Sequence, residues 1–407
     1  MRFLFVVDSV ENPAAANPRL ARVLGAALAV RGAVVHYLEL WDGRAETRPP
    51  AAATSHPLPF ADERLMNEAL ENGAQNGSAL PLRLARLAGH PTAVAAAFRQ
   101  LVLHRPRRQT ACQSALERLD AEFHFDAIVA VCAPYRSAFA LQAAQVGAKK
   151  IVWQLDPYAA NRDYKAPGGY AREAALLQSL YAAFITPQAL ADYAPGAPLE
   201  KYRDKVHVLG FPCLVPPAQG AEAAPAAKKR RQCVFCGSLY PRLRTPDAAL
   251  SLFAGLNPPG WQLVMAGGGW QPFAPARQRA AAVLGDRLLT PGPIPPAQAR
   301  ALMDGADVLL SLGNAVDNQM PSKLFEYFGT GKPVLHLALS ENDPTLPYLR
   351  RYPLALVLGP QMRPGDAETL RTWLDKTAGQ QVPFETVAAL YKEFTPAQVA
   401  EDFLKIF

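Results

Sequence analysis

The chain has 407 residues, a formal net charge of +7, 50% hydrophobic residues and 19% charged ones. Such a composition excludes a disordered or fibrous chain, and the length exceeds one domain of roughly 100–200 residues, so two domains with separate cores are expected. The positive balance suits an anionic partner such as nucleotide phosphates or an acidic membrane surface; its arginine clusters do not interleave with aromatics, so no nucleic-acid partner is expected.

The first half alternates strand and helix. RFLFVV at 2–7 is a continuous apolar run, as in a strand covered on both faces. A helix over 18–31, a strand over 33–40, a Pro/Ala-rich loop over 42–60 and a largely helical stretch over 61–122 follow. Further strands are expected at 126–131, 150–155, 183–186 and 205–210, with a helix over 135–146. This order predicts a parallel sheet with right-handed crossovers. Residues 214–231 are Pro/Ala-rich, end in a basic run and read as a domain linker.

A second alternating half begins at CVFCGS, 233–238. Strands are expected at 261–269, 287–292, 307–312, 333–339 and 355–359. Helices are expected at 245–255, 274–284, 296–304, 322–329 and 396–407, the last after a Thr-Pro start signal. The expected division is a domain over 1–213, a linker over 214–231, a second domain over 232–395, and a last helix with the option of returning to the first domain.

The five cysteines do not make a disulfide framework. Cys233 and Cys236 have CxxC spacing, but no second pair completes a zinc site, and packing in a strand is the expectation. The seven histidines also lack metal-ligand spacing. His36, His207 and His336 fall in strand patterns and are expected to be packed. No metal and no cofactor are therefore expected. The N-terminal MRFLFVVDS is too short for a signal peptide, and no run approaches the ~18 apolar residues of a membrane span. A cytoplasmic protein is expected, with HRPRR (104–108) and KKRR (228–231) read as solvated surface or, as the sharper alternative, as a patch for peripheral contact with anionic lipid.

The most informative segment is NQMPSKLFEYFGTGKPV, 318–334. Pro321 suits a first helical turn. The N–H groups of Ser322, Lys323 and Leu324 would then face an anion at the positive helix end. Glu326 follows one turn on, where a carboxylate can accept from the two hydroxyls of a ribose. Phosphates at the helix start and ribose at the first turn describe a nucleoside diphosphate.

PSKLFEYFGTGKPVL closely resembles the nucleotide-sugar motif of GT-B glycosyltransferases, especially family 4 and its bacterial relatives. The resemblance covers about 232–337; over the N-terminal half it is one of architecture. It implies two Rossmann-like domains of α/β class facing each other across a cleft, the first for the acceptor and the second for the donor. It implies transfer of a sugar, of hexosyl type, from a nucleotide-sugar donor to a glycan or lipid-linked acceptor, as in polysaccharide biosynthesis. FCGSLYPRLRTPDAAL (235–250) looks like the family's strand-loop-helix, whose basic residue grips the diphosphate; Arg244 is the candidate and Arg242 the reserve. LVMAGGG (263–269) looks like its glycine turn, with Gly268 as a donor contact or simply a tight turn.

The family usually has an acid where this chain has Asn318. An amide still bonds a sugar hydroxyl, yet it brings no charge to the anomeric centre, so retaining and inverting chemistry both stay open. IVWQLDPYAANRDY (151–164) resembles the place where relatives put a catalytic His or Asp. Asp156 is the candidate base or sugar contact, with a plain Asp-Pro turn as the alternative. A nucleotide-sugar epimerase and a catalytically silent nucleotide binder are the rival readings.

Overall fold

A computed structural model describes residues 1–8, 16–41, 52–59, 91, 94–95, 107–161, 166, 168–217, 230–258, 260–361 and 363–407. The chain forms two compact units, the first built from Met1–Ala160 and Ala166–Leu209, the second from Asn161–Lys165 and Gly210–Phe407.

In the first unit the described elements are β1 (Arg2–Asp8), α1 (Ala16–Val30), β2 (Val34–Trp41), β3 (Ala53–Pro59), α2 (Arg107–Phe123), β4 (Ala127–Cys132), α3 (Arg136–Ala143), β5 (Lys149–Gln154), α4 (Gly169–Ser179), β6 (Ala182–Ile185) and β7 (Val206–Val208). The strands pair in parallel in the order β3-β2-β1-β4-β5-β6-β7. Apolar β1 lies between β2 and β4, and Phe3 through Val6 are fully buried, as expected of a strand covered on both faces. Helix α1 turns Leu20, Ala21, Leu24 and Leu28 inward, one helical face. Its Gly25 is needed for close packing, because a Cβ there would overlap the Tyr37 hydroxyl.

Two expectations for this unit change. The stretch 42–60, read as loop, contains strand β3, which pairs with β2 from Ala53 opposite Val35 to Pro59 opposite Trp41. Pro57 and Pro59 disguise it; an edge strand bonds on one side only, so a missing N–H can point away from the ladder. HRPRR, read as solvated or membrane-facing, loses one arginine: Arg108 is buried and its Nη1 donates to Asp8 Oδ1 at 2.8 Å. A guanidinium taken out of water needs such a partner. Residues 104–106 of that run, 228–229 of KKRR, most of the helical expectation before 107, and 218–229 of the linker lie outside the described residues.

In the second unit the described elements are β8 (Arg231–Cys236), α5 (Asp247–Leu256), β9 (Trp261–Ala266), α6 (Ala274–Leu284), β10 (Leu288–Gly292), α7 (Pro296–Gly305), β11 (Val308–Leu312), α8 (Lys323–Gly329), β12 (Val334–Leu337), α9 (Leu346–Leu349), β13 (Ala355–Leu358), α10 (Asp366–Thr377), α11 (Phe384–Leu390) and α12 (Pro396–Leu404). Its parallel sheet runs β10-β9-β8-β11-β12-β13. Both units are thus Rossmann-like α/β layers. Thr395 caps α12, its side chain accepting from the Gln398 N–H at 3.3 Å.

Residues after Leu209 join the second core. Phe211 stacks on Phe394, and the Leu214 N–H bonds the Phe394 carbonyl at 3.1 Å. Phe325 of α8 lies face to face with Phe394 at 3.6 Å between ring centroids. Phe328 stacks on Tyr391 and Tyr352. Each such pair adds about 0.5–1.5 kcal/mol beyond area burial, so α8, though short, is firmly seated. All five cysteines are buried and free, Cys233 and Cys236 among them.

Candidate nucleotide site

Ligands of open parallel sheets bind outside the carboxyl ends of the strands, where the strand order reverses. In the second unit that point lies between β8 and β11, neighbours from which the chain leads away in opposite directions. The loop after β8 carries Arg244 and the segment after β11 carries Asn318 to Glu326, so the sequence-predicted residues gather at one switch point.

Arg244 is half-buried. Its Nε and Nη2 both donate to Asn314 Oδ1, at 3.1 and 2.7 Å. Burial pushes its pKa down, while Tyr240, Tyr327 and Asp343 nearby oppose that shift; a guanidinium stays charged regardless. A tight turn presents it, with the Arg244 N–H bonded to the Tyr240 carbonyl at 2.9 Å. Arg242, the reserve, is exposed.

Helix α8 departs from expectation in one respect. The Leu324 N–H is taken by the Pro321 carbonyl at 3.1 Å, so it is not free for an anion. The helix spans only Lys323–Gly329, a small dipole. The charge at this place therefore comes from the Lys323 side chain, whose Nζ lies 3.1 Å from Glu326 Oε2. Glu326 is buried. The buried Tyr327 hydroxyl accepts from the Cys236 N–H at 3.0 Å, which ties α8 to the end of β8. Cys236 feels both charges: burial pushes its thiol up to about 11, with Lys323 lowering and Glu326 raising it. The Ser322 carbonyl receives the Cys213 thiol at 3.5 Å. Asn318 is half-buried in the approach to α8.

The glycine turn after β9 divides into two roles. Gly267 and Gly269 have positive φ of 143° and 88°, and a Cβ on either would strike the Gly237 or Leu239 carbonyl. Their close approach is thus to the loop after β8, bonded by the Leu239 N–H to the Gly268 carbonyl at 3.0 Å. Gly268 itself is half-buried, and a Cβ there would meet only Pro293, at 3.7 Å.

In the first unit Asp156 follows β5, half-buried, at the carboxyl edge of its sheet. The turn around it is held twice. Tyr135 Oη donates to the Asp156 carbonyl at 2.7 Å, and the Ala159 N–H donates to Glu173 Oε2 at 2.9 Å. Glu173 is buried, and burial raises its pKa despite its bonds to Ala159 and Gln154. At the reversal point of this sheet, Asp8 ends β1 and faces Arg108 and, at 3.4 Å, Arg136. Sequence reasoning missed Asn314, Glu173 and Asp8. Only Asp8, a charge closing an apolar strand, carries a local signal. Among the described residues no three His, Cys, Asp or Glu side chains stand together as a metal site, and no helix is long and apolar enough to cross a membrane.

This pair of sheets is the fold of GT-B glycosyltransferases. HepE of Anabaena in complex with UDP and glucose matches with a TM-score of 0.61 and 12% identity, over 100% of this chain and 98% of that one. AviGT4, a glycosyltransferase involved in avilamycin A biosynthesis, matches with a TM-score of 0.56 and 16% identity, over 100% and 96%. Sucrose-phosphate synthase of Thermosynechococcus elongatus matches with 0.57 and 15%, over 100% and 95%. At these identities the likeness is one of fold. No family profile and no curated protein matches the chain.

Proposed function

We propose that the chain is a glycosyltransferase that takes a sugar from a nucleoside-diphosphate sugar and passes it to a hydroxyl of a glycan or lipid-linked acceptor. The observation that carries this reading is Arg244, a half-buried guanidinium held by the neutral amide of Asn314 at a sheet switch point. A desolvated cation without a carboxylate partner is complementary to an incoming anion. Lys323 at the neighbouring strand end adds a second cation, and Glu326, its ion-pair partner, would take the ribose hydroxyls. The GT-B fold, shared with a protein whose structure holds UDP and glucose, supports the same ligand class.

In this reading the bond between the anomeric carbon and the β-phosphate oxygen breaks, and its electron pair leaves with the diphosphate. Arg244 and Lys323 balance the growing charge there, the electrostatic contribution that dominates many such reactions. The acceptor oxygen bonds the anomeric carbon and gives up its proton, to Asp156 if that carboxylate is the base. Neither a metal nor a cofactor is assigned a part. The first domain would hold the acceptor, and the second the donor. Peripheral contact with anionic lipid through the basic surface is a subsidiary proposal; sedimentation with acidic vesicles at low but not high salt would support it, and no binding at low salt would end it.

Incubation with UDP-, GDP- and dTDP-sugars plus acceptor extracts tests the function. Release of nucleoside diphosphate with a glycosylated product supports transfer. An isomerised donor points to an epimerase. Binding without turnover under every acceptor condition points to a silent binder.

A further inference from the structure

Asn314 is a fully enclosed side chain just beyond the end of β11. Its Oδ1 takes the two bonds from Arg244, and its Nδ2 donates to the Gln319 carbonyl at 3.1 Å. The neighbouring Ala315 N–H bonds the Leu243 carbonyl at 2.8 Å, so the two loops are locked together on both sides of this contact. An aspartate here would grip Arg244 as well, but it would cancel the charge. The amide fixes the direction of the guanidinium and leaves the charge whole, with three of its five N–H groups not used by Asn314.

A buried network stands behind Asn314. A Cβ on Gly313 would overlap Asp343 Oδ2, so that carboxylate presses directly on the Gly313 backbone. Asp343 is bonded to His336 Nε2 at 3.0 Å and to the Thr345 hydroxyl at 2.6 Å. His336 Nδ1 lies 3.0 Å from the Ser311 hydroxyl, across adjacent strands β11 and β12. Burial opposes ionisation of Asp343, yet the His336 and Thr345 bonds outweigh it and hold the carboxyl below its usual range. Asp343 thus spends its bonds on His336 and Thr345, and Arg244 is held by the neutral amide.

We propose that Asn314 is a positioning residue that aims Arg244 with its charge intact, so that the site selects nucleoside diphosphates over nucleoside monophosphates. The proposal rests on the donor-site reading. The test is calorimetric titration of the full chain with UDP and UMP, and with the GDP/GMP and dTDP/dTMP pairs. Wild type, Arg244→Ala, Asn314→Asp and Asn314→Ser are compared, with circular dichroism melts to show that each is folded. Arg244→Ala is expected to lose about 10-fold or more in diphosphate affinity, a difference of about 1.4 kcal/mol, with monophosphate affinity nearly unchanged. Asn314→Asp, close to isosteric, is expected to reproduce that selective loss through charge cancellation. Asn314→Ser is expected to lose less, and to add nothing when combined with Arg244→Ala.

Wild-type selectivity in Asn314→Asp, with loss in Arg244→Ala, would overturn the role of Asn314 and leave the donor site standing. Equal loss of both ligands in Asn314→Asp would also overturn it, as general damage. Failure of every diphosphate to bind wild type would remove the donor reading and this inference together.

Discussion

Lys323 Nζ and Glu326 Oε2 stand 3.1 Å apart at the start of α8, an ion pair between the two side chains proposed to meet the phosphates and the ribose. Glu326 holds the ammonium, and in the proposed reading a bound nucleotide would share both groups. Replacing Glu326 by alanine is expected to weaken nucleoside diphosphate binding by about 1.5–3 kcal/mol, the range for a hydrogen bond to a charged group. Calorimetry on a folded Glu326→Ala variant checks this. Unchanged affinity would remove the ribose assignment.

Turnover is expected to continue in excess EDTA. The reason is that, in the proposed reading, two cations, Arg244 and Lys323, are available to balance the leaving diphosphate. Activity that vanishes with EDTA and returns with magnesium or manganese would refute this.

Asp156→Asn is expected to slow transfer about 100-fold or more and to leave donor affinity intact, if the carboxylate takes the acceptor proton. The fold should tolerate the change, because Tyr135 and Glu173 hold this turn through its backbone. Near-normal transfer would reduce Asp156 to a turn residue.

The first sheet carries a titrating edge. His36 Nδ1 lies 3.1 Å from His56 Nε2, and the two rings stack beside Phe123 and Phe125. Burial lowers both pKa values. For His36 the charges of His56 and Arg2 add to this and Glu122 opposes it; for His56 Arg118 adds and Glu122 opposes. The unfolded chain therefore binds more protons below the ordinary value of 6.5, and stability from this pair is present above that pH and lost below it. Thermal melts of wild type are expected to fall between pH 7 and pH 5 more steeply than those of His56→Phe. Parallel pH profiles for the two proteins would contradict the role of the pair.

Much of this arrangement could be read from residues close in sequence. The apolar run of β1 and the string from Pro321 to Gly331 announce their elements, because burial on both faces and a helix start impose local patterns. Strand β3 escaped because its prolines signal loop everywhere except at a sheet edge. The Leu324 N–H was expected to be free, and only the actual turn shows Pro321 using it. The glycine turn was open between a ligand approach and a tight turn, and the crowding that Gly267 and Gly269 relieve comes from another loop. Asn314 and Arg244 are 70 positions apart and Asp8 and Arg108 are 100 apart. No local pattern encodes which distant side chain will share their burial.

In the proposed reading the second unit binds a nucleoside diphosphate through Arg244 and Lys323. The most direct test of this claim is calorimetric titration of the purified full chain with UDP, GDP and dTDP, side by side with Arg244→Ala. The expected result is saturable binding of at least one diphosphate, about 10-fold or more weaker in the variant. Absence of binding by all three, or equal affinity in wild type and variant, would contradict the claim.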